Sequence, residues 1–279
     1  DEGDAVAIED PHYQFAHHAL RAHGAQVIAV GTDSEGLDCG ALPRNGVRLV
    51  CVTPAHQFPS GVEMSLTRRM ALLRYASEHG CWIVEDDYDG EFRYDTQPLA
   101  ALRSLDRDGR VMYVGTFSKT LFPSLRLGYL VMPPALRTEL VTAKWAQDFG
   151  SSAIEQSALA HFMASGGFER HLRRSARTLE ERRATLLEGL RDIGKGRLEI
   201  ADSRAGMHLV VWLRGKRNAD LDAILEHALT LGIGLHTIRP HYLRVPEGAG
   251  LLMGYCGLSV AQIREAMPVL ERVLDAAYA

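Results

Sequence analysis

Two short segments hold the side chains best suited to chemistry. In the first, an apolar run from Cys81 to Val84 opens directly onto Glu85, Asp86, Asp87, Tyr88, Asp89 and Glu91. Crowded carboxylates repel one another, and nothing in folding asks for them at a strand end. Alternate residues of an extended chain share a face, so Asp86 and Tyr88 point one way and Asp87 the other. By itself the segment is open to three readings: a Mg²⁺ site, a solvated acidic loop, or an anion and a phenol facing a cofactor. In the second segment, VMYVGTFSKTLFPSLR, an apolar strand ends at Gly115 and a loop then presents Thr116, Ser118, Lys119 and Thr120, with Arg126 further on. A lysine just past a buried strand is expected to be partly desolvated, which makes its amine a candidate nucleophile for a carbonyl. Hydroxyls and a guanidinium beside it suit a phosphate. The plain alternative is a surface loop with an ordinary lysine. Two further loops follow apolar strands. Thr53–Gly61 (TPAHQFPSG) carries His56 and Gln57 in a frame shaped by two prolines and a glycine, and Glu9–Tyr13 (EDPHY) offers an aromatic face at Tyr13.

Apolar strands are predicted at Ala5–Ile8, Gln26–Val30, Arg48–Val52, Cys81–Glu85, Val111–Gly115 and Leu127–Met132, with helices at Tyr13–His23 and Met64–His79. Short apolar strands joined by helices argue for an α/β fold with a mostly parallel sheet covered on both faces. Ligands of such sheets sit outside the carboxyl ends of the strands, where all four loops lie. From Ser151 the pattern changes. Helices are predicted at Ala153–Ala164 and Phe168–Leu190, and a smaller α+β unit follows. Its strands are predicted near Leu198–Ile200, His208–Leu213, Ile233–His236 and Leu251–Met253, and its helices near Asp220–Leu231 and Val260–Ala277. This divides the chain into a large domain over 1–165, a connecting helix over 166–192 and a small domain over 193–279. The connecting helix bears Arg170, Arg173, Arg174, Arg177, Arg182 and Arg183 among Glu180 and Glu181. The glutamates cancel much of its charge, so it reads as a solvated helix rather than a nucleic-acid element.

The 279 residues carry a net charge of −4 and are 46% hydrophobic, values of an ordinary globular protein without a basic footprint for nucleic acid. No apolar run approaches the ~18 residues of a membrane span. The cysteines Cys39, Cys51, Cys81 and Cys256 form no CxxC pair, so a reducing cytoplasm is the expected compartment. The chain begins Asp-Glu-Gly-Asp and runs almost at once into a strand, so further residues are expected upstream.

An acid, a phenol, a lysine, hydroxyls, an arginine and an aromatic face at one sheet edge together describe the needs of pyridoxal 5′-phosphate. Its ring nitrogen wants a carboxylate, its 3′-oxygen a phenol, its aldehyde a lysine and its phosphate hydroxyls with a cation. No metal is needed. The strings TPAHQFPSGVEMSLTRRMALL, IVEDDYDGEFRYD and YVGTFSKTLFPSLRLGYLVMP resemble fold-type I pyridoxal-phosphate enzymes, and more closely the aminotransferase-like domain of MocR-type regulators in the GntR superfamily.

The resemblance implies that Lys119 holds the cofactor as an internal aldimine, Asp86 pairs with the pyridinium nitrogen and Tyr88 reaches the 3′-oxygen. It places Thr116, Ser118 and Arg126 at the phosphate, Tyr13 against the ring, and His56 or Gln57 near the 3′-oxygen. It also implies a homodimer, an amino-acid or amine substrate or effector, and DNA binding only through a winged-helix domain upstream of this chain. Two functions share these residues. One is a regulator's sensor, in which turnover is vestigial; the other is a free-standing aminotransferase passing an amino group from an amino acid to a 2-oxo acid. An aminotransferase needs an arginine for the substrate carboxylate. Leu251–Tyr255, where one would be sought, carries none, which leaves Arg239 and Arg244 as substitutes.

Overall fold

A computed structural model describes residues 1–94, 100–201, 203 and 205–279. Asp95, which ends the second of the strings above, lies outside them. The chain runs β1 (Ala5–Asp10), α1 (Gln14–Ala22), β2 (Gln26–Asp33), β3 (Gly36–Leu37), β4 (Val47–Val52), α2 (Leu66–His79), β5 (Trp82–Asp87), α3 (Leu102–Leu105), β6 (Val111–Thr116) and β7 (Gly128–Val131). These strands form one sheet in the order β3-β2-β1-β4-β5-β6-β7. β2, β1, β4, β5 and β6 are mutually parallel, and short antiparallel strands close both ends. The expected mostly parallel α/β sheet is therefore present. The central strands are apolar on both faces because helices cover both, and Ala7, Val50 and Ile83 are fully buried. Helix α2 shows the local logic. Ser65 accepts a hydrogen bond from the Arg68 N–H at its start, and Gly80 in the left-handed region ends it.

The remaining elements are α4 (Arg137–Asp148), α5 (Ala153–Ala164), α6 (Gly167–Gly194), β8 (Leu198–Ala201), β9 (His208–Arg217), α7 (Leu221–Thr230), β10 (His236–Thr237), β11 (Gly248–Gly254) and α8 (Val260–Tyr278). Four strands form a second, antiparallel sheet in the order β10-β11-β9-β8. α4 was not foreseen, because its surface carries no apolar stripe that meets a core: none of its residues is buried. The arginine-rich helix differs from expectation in its second half. Leu179, Leu186, Leu187, Leu190 and Ile193 of α6 enter the core of the second sheet. Arg183 is buried there, donating to the Ser203 carbonyl and lying over the Tyr94 ring. No helix among the described residues is long and apolar enough to cross a membrane.

Candidate functional site at the carboxyl edge of the large sheet

Parallel pairing sets the ends of β1, β4, β5 and β6 side by side, with Asp86 opposite Val114 and Asp87 opposite Gly115. The acidic segment of β5 then separates by alternation. Glu85 is buried and accepts from the Leu102 and Arg103 N–H groups, both at 2.8 Å, which starts α3. Asp87 accepts from the Tyr113 hydroxyl at 2.6 Å and the Gly90 N–H at 3.0 Å. Asp89 is buried and faces His56. No three of these carboxylates converge among the described residues; of the segment, only Asp89 joins a group spaced as ligand atoms, with His56 and His208. Asp86 is left half-buried with no hydrogen bond among the described residues. Burial, Asp87 and Asp89 push its carboxyl up to about 6, and the Lys119 ammonium pulls it back. Lys119 acts on the Cys256 thiol in the same sense.

Lys119 is not desolvated as expected. It lies in the turn three residues beyond β6 and is exposed. Thr116, Ser118 and Arg126 line one cleft of about 780 Å³ with residues of β7 and α4. Thr116 Oγ1 accepts from the Ser118 N–H at 3.1 Å, and Arg126 holds a left-handed conformation at φ 52°.

Tyr88 keeps its proton, because burial and then Asp89, Asp86 and Glu9 raise its phenol well above the ordinary value. Its hydroxyl is 2.9 Å from His56 Nδ1, which is also 3.0 Å from Asp89 Oδ2. The His56 ring fits only because residue 206 is glycine. A Cβ there would lie 1.9 Å from the ring, and the φ of +85° disfavours other residues. His208, at the start of β9, stacks obliquely on His56 with ring centroids 5.0 Å apart. Of the two residues that could approach the 3′-oxygen, Gln57 is spent elsewhere. Its Nε2 donates to the carbonyls of Pro11 and Phe58, and its Oε1 accepts from Ser60. Tyr13 is half-exposed at the rim and reaches Tyr88 only through Phe58. The Phe58 ring meets Tyr13 and Tyr88 edge to face, each with centroids 5.8 Å apart. Phe58, Asp89 and His208 were not singled out from the sequence. Asp89 was visible there only as one acid among several, and the other two had no signal at all.

The arginine substitutes fare unequally. Arg239 is held by Asp222 at 2.8 Å and Asn218 at 3.1 Å, so it is not a free carboxylate binder. Two aspartate oxygens and an amide oxygen had no signature near it in sequence. Arg244 is exposed, and its backbone N–H donates to Asp10 at 3.1 Å, which sets it at the rim beside β1.

Behind the site, Glu9 Oε2 accepts from the Thr53 N–H at 3.0 Å, the Thr53 hydroxyl at 2.7 Å and Gln57 at 3.3 Å. Its other oxygen is buried without a partner among the described residues. Burial pushes this carboxyl from 4.5 up to about 7. The folded state therefore binds the proton more tightly than the unfolded one. The resulting stability is fully present below about pH 4.5 and is lost as pH rises through 7, about 3 kcal/mol in all. Glu9→Gln is expected to flatten this part of the curve. Urea unfolding at pH 5 and pH 8 checks it, and equal losses in both proteins would contradict the assignment.

The model of the family described as aminotransferase class I and II matches residues 1–267. The chain is 36% identical over 262 residues to the uncharacterized HTH-type transcriptional regulator YhdI of Bacillus subtilis, covering 94% of this chain and 55% of that protein. It is 35% identical over 267 residues to the probable rhizopine catabolism regulatory protein MocR of Rhizobium meliloti, covering 96% and 54%. The chain thus spans about half the length of these relatives. Among solved structures, kynurenine aminotransferase of Pyrococcus horikoshii, in complex with PMP, superposes with a TM-score of 0.91 at 28% identity, covering 100% of this chain and 71% of that one. With the family model matched over residues 1–267 and relatives of the same kind covered almost throughout, the chain belongs to the class I and II aminotransferase family.

Proposed function

We propose that this chain is the pyridoxal-phosphate-binding, aminotransferase-like part of a MocR-type regulator of the GntR superfamily, sensing an amino acid, an amine or the cofactor itself. The observation that carries the reading is Asp86: a half-buried carboxylate without a hydrogen bond among the described residues, beside a protonated phenol and within the field of a lysine. An unpartnered, partly desolvated anion is costly, and a protonated pyridine nitrogen would relieve it. The donor set fits the cofactor in its other parts too, since two hydroxyls and a guanidinium share one cleft.

When bound, pyridoxal phosphate supplies an aldehyde that condenses with amines and a ring that withdraws electrons. The residues of this chain would do the rest. Asp86 would hold the ring nitrogen protonated, and Tyr88 would donate its phenol proton to the 3′-oxygen. Thr116, Ser118 and Arg126 would bind the phosphate, and Tyr13 with Phe58 would cover the ring. The Lys119 amine would hold the aldehyde, and as a free amine it would take up a proton as general base. We take the large domain to span 1–165, the connecting helix 166–192 and the small domain 193–279.

The regulator reading is favoured over a free-standing aminotransferase by the relatives, which are named as regulators, and by the loss of Arg239 to Asp222. DNA binding is proposed of the whole protein only, in the part of the relatives' length beyond this chain. Homodimerisation is supported by large apolar side chains left exposed on β7, α4 and α5, among them Tyr129, Val131, Trp145 and Ile154. A cytoplasmic location is the compartment such a regulator requires.

The test is to load the protein with pyridoxal phosphate and add a panel of amino acids and amines. A spectral change without release of a 2-oxo acid is expected. Stoichiometric 2-oxo acid would instead establish the aminotransferase, and no visible absorbance on loading would remove the cofactor reading.

A further inference from the structure

We infer that His56, aimed by Asp89, is a positioning residue that turns the Tyr88 phenol proton toward the cofactor's 3′-oxygen; this rests on the cofactor reading above. His56 and Asp89 are 2% and 1% exposed, so their contacts are not shared with solvent. His56 Nδ1 meets Asp89 Oδ2 at 3.0 Å, Asp89 Oδ1 at 3.2 Å and the Tyr88 hydroxyl at 2.9 Å. His56 Nε2 is buried with no partner among the described residues. A proton on Nε2 would be an unsatisfied buried donor, whereas on Nδ1 it has a carboxylate and a phenol oxygen to meet. The network therefore assigns the proton to Nδ1. Nδ1 then cannot accept from Tyr88, and its one N–H is shared between the Asp89 carboxylate and the phenol oxygen. The phenol's own proton is left free for another acceptor, and the phenol oxygen is fixed in place.

The surroundings support this role over one other. His56, Asp89 and His208 offer ligand atoms within 4.8 Å of one another, a spacing a cation could use. However, His208 Nε2 already reaches the Pro59 carbonyl at 2.9 Å, and His56 Nδ1 is already shared by Asp89 and Tyr88. Other ionisable groups also face this space: Asp86 and Glu9 act on Tyr88, and His56, Asp89 and His241 act on His208.

An oxygen that accepts the Tyr88 proton carries less negative charge and holds the bound cofactor's own ionisable proton less tightly. Removing the donor raises the pH midpoint of the cofactor's visible absorbance. Tyr88→Phe is expected to raise that midpoint by about 1 pH unit and His56→Ala by about 0.5 to 1. His56→Ala added to Tyr88→Phe is expected to shift it no further, since His56 acts only through the phenol. Asp89→Asn, which keeps the side chain's shape, covers the case in which His56→Ala does not fold, and its midpoint is expected to rise likewise. In the cofactor-free protein, imidazole ¹⁵N resonances are expected to place the His56 proton on Nδ1. A His56→Ala midpoint equal to that of the parent, additive shifts in the double variant, or a proton on Nε2 would each overturn the inference. So would stoichiometric Zn²⁺ held by the parent and lost in His56→Ala. A parent protein that never acquires visible absorbance would instead overturn the cofactor reading itself, and the ¹⁵N result would still report on the dyad.

Discussion

Lys119→Ala is expected to abolish the visible absorbance of the protein loaded with pyridoxal phosphate, and with it the mass added on borohydride reduction. The effect is all-or-none, because a single amine can form the covalent link and alanine offers none. The remaining lysines, Lys144, Lys195 and Lys216, are engaged elsewhere: Lys144 pairs with Asp148, Lys195 with Glu271 at 2.6 Å, and Lys216 lies over the Tyr278 ring. The fold is expected to be unaffected. Lys119 is exposed and makes no hydrogen bond among the described residues, so its loss should change stability by less than about 0.5 kcal/mol. Absorbance spectra, intact mass after reduction and a urea titration check the three parts. A variant that keeps its absorbance would remove Lys119 from the site.

The largest loss of stability is expected at Arg69. Its side chain is 1% exposed and donates to three backbone carbonyls: Met64 at 2.9 Å, Ala100 at 3.2 Å and Pro54 at 2.7 Å. Burial lowers its pKa, and the nearby Glu85 carboxylate opposes that more strongly than any other neighbour. Arg69→Leu fills most of the volume but strands three carbonyls and removes the cation that offsets the Glu85 charge beside its two backbone N–H partners. A cost of about 3–5 kcal/mol follows. Arg69→Lys is expected to recover only part of it, because one ammonium cannot reproduce a planar fork. The loss also bears on function, since Pro54 opens the loop that carries His56. Urea unfolding midpoints give the stability. A cost below about 1 kcal/mol would show that the carbonyls find other partners.

Much of this molecule was legible in its sequence because the relevant physics is local. Strand and helix periods placed the large sheet, and short connections placed the loops of Glu9–Tyr13, Thr53–Gly61, Glu85–Asp89 and Thr116–Arg126 at one edge. The period of two in β5 separated Asp86 and Tyr88 from Asp87, as observed. The reading was weakest where burial depends on partners far along the chain. Half of α6 enters a core that its arginines hid, because Leu179, Leu187 and Leu190 are spaced for α8 and β9, not for any neighbour in sequence. Arg239 looked available until Asp222 and Asn218 arrived beside it.

By itself, the amino-acid order determined which functional groups exist and on which end of which strand they emerge. Side-chain chemistry and backbone period are properties of a segment alone. Only the tertiary structure decided which groups are spent and which remain to act. Gln57 is consumed by Pro11, Phe58 and Ser60, Asp89 is committed to His56, and Asp86 is left without a hydrogen bond among the described residues. Hydrogen bonds saturate and burial amplifies charge, so a residue's chemistry depends on neighbours that arrive from distant parts of the chain.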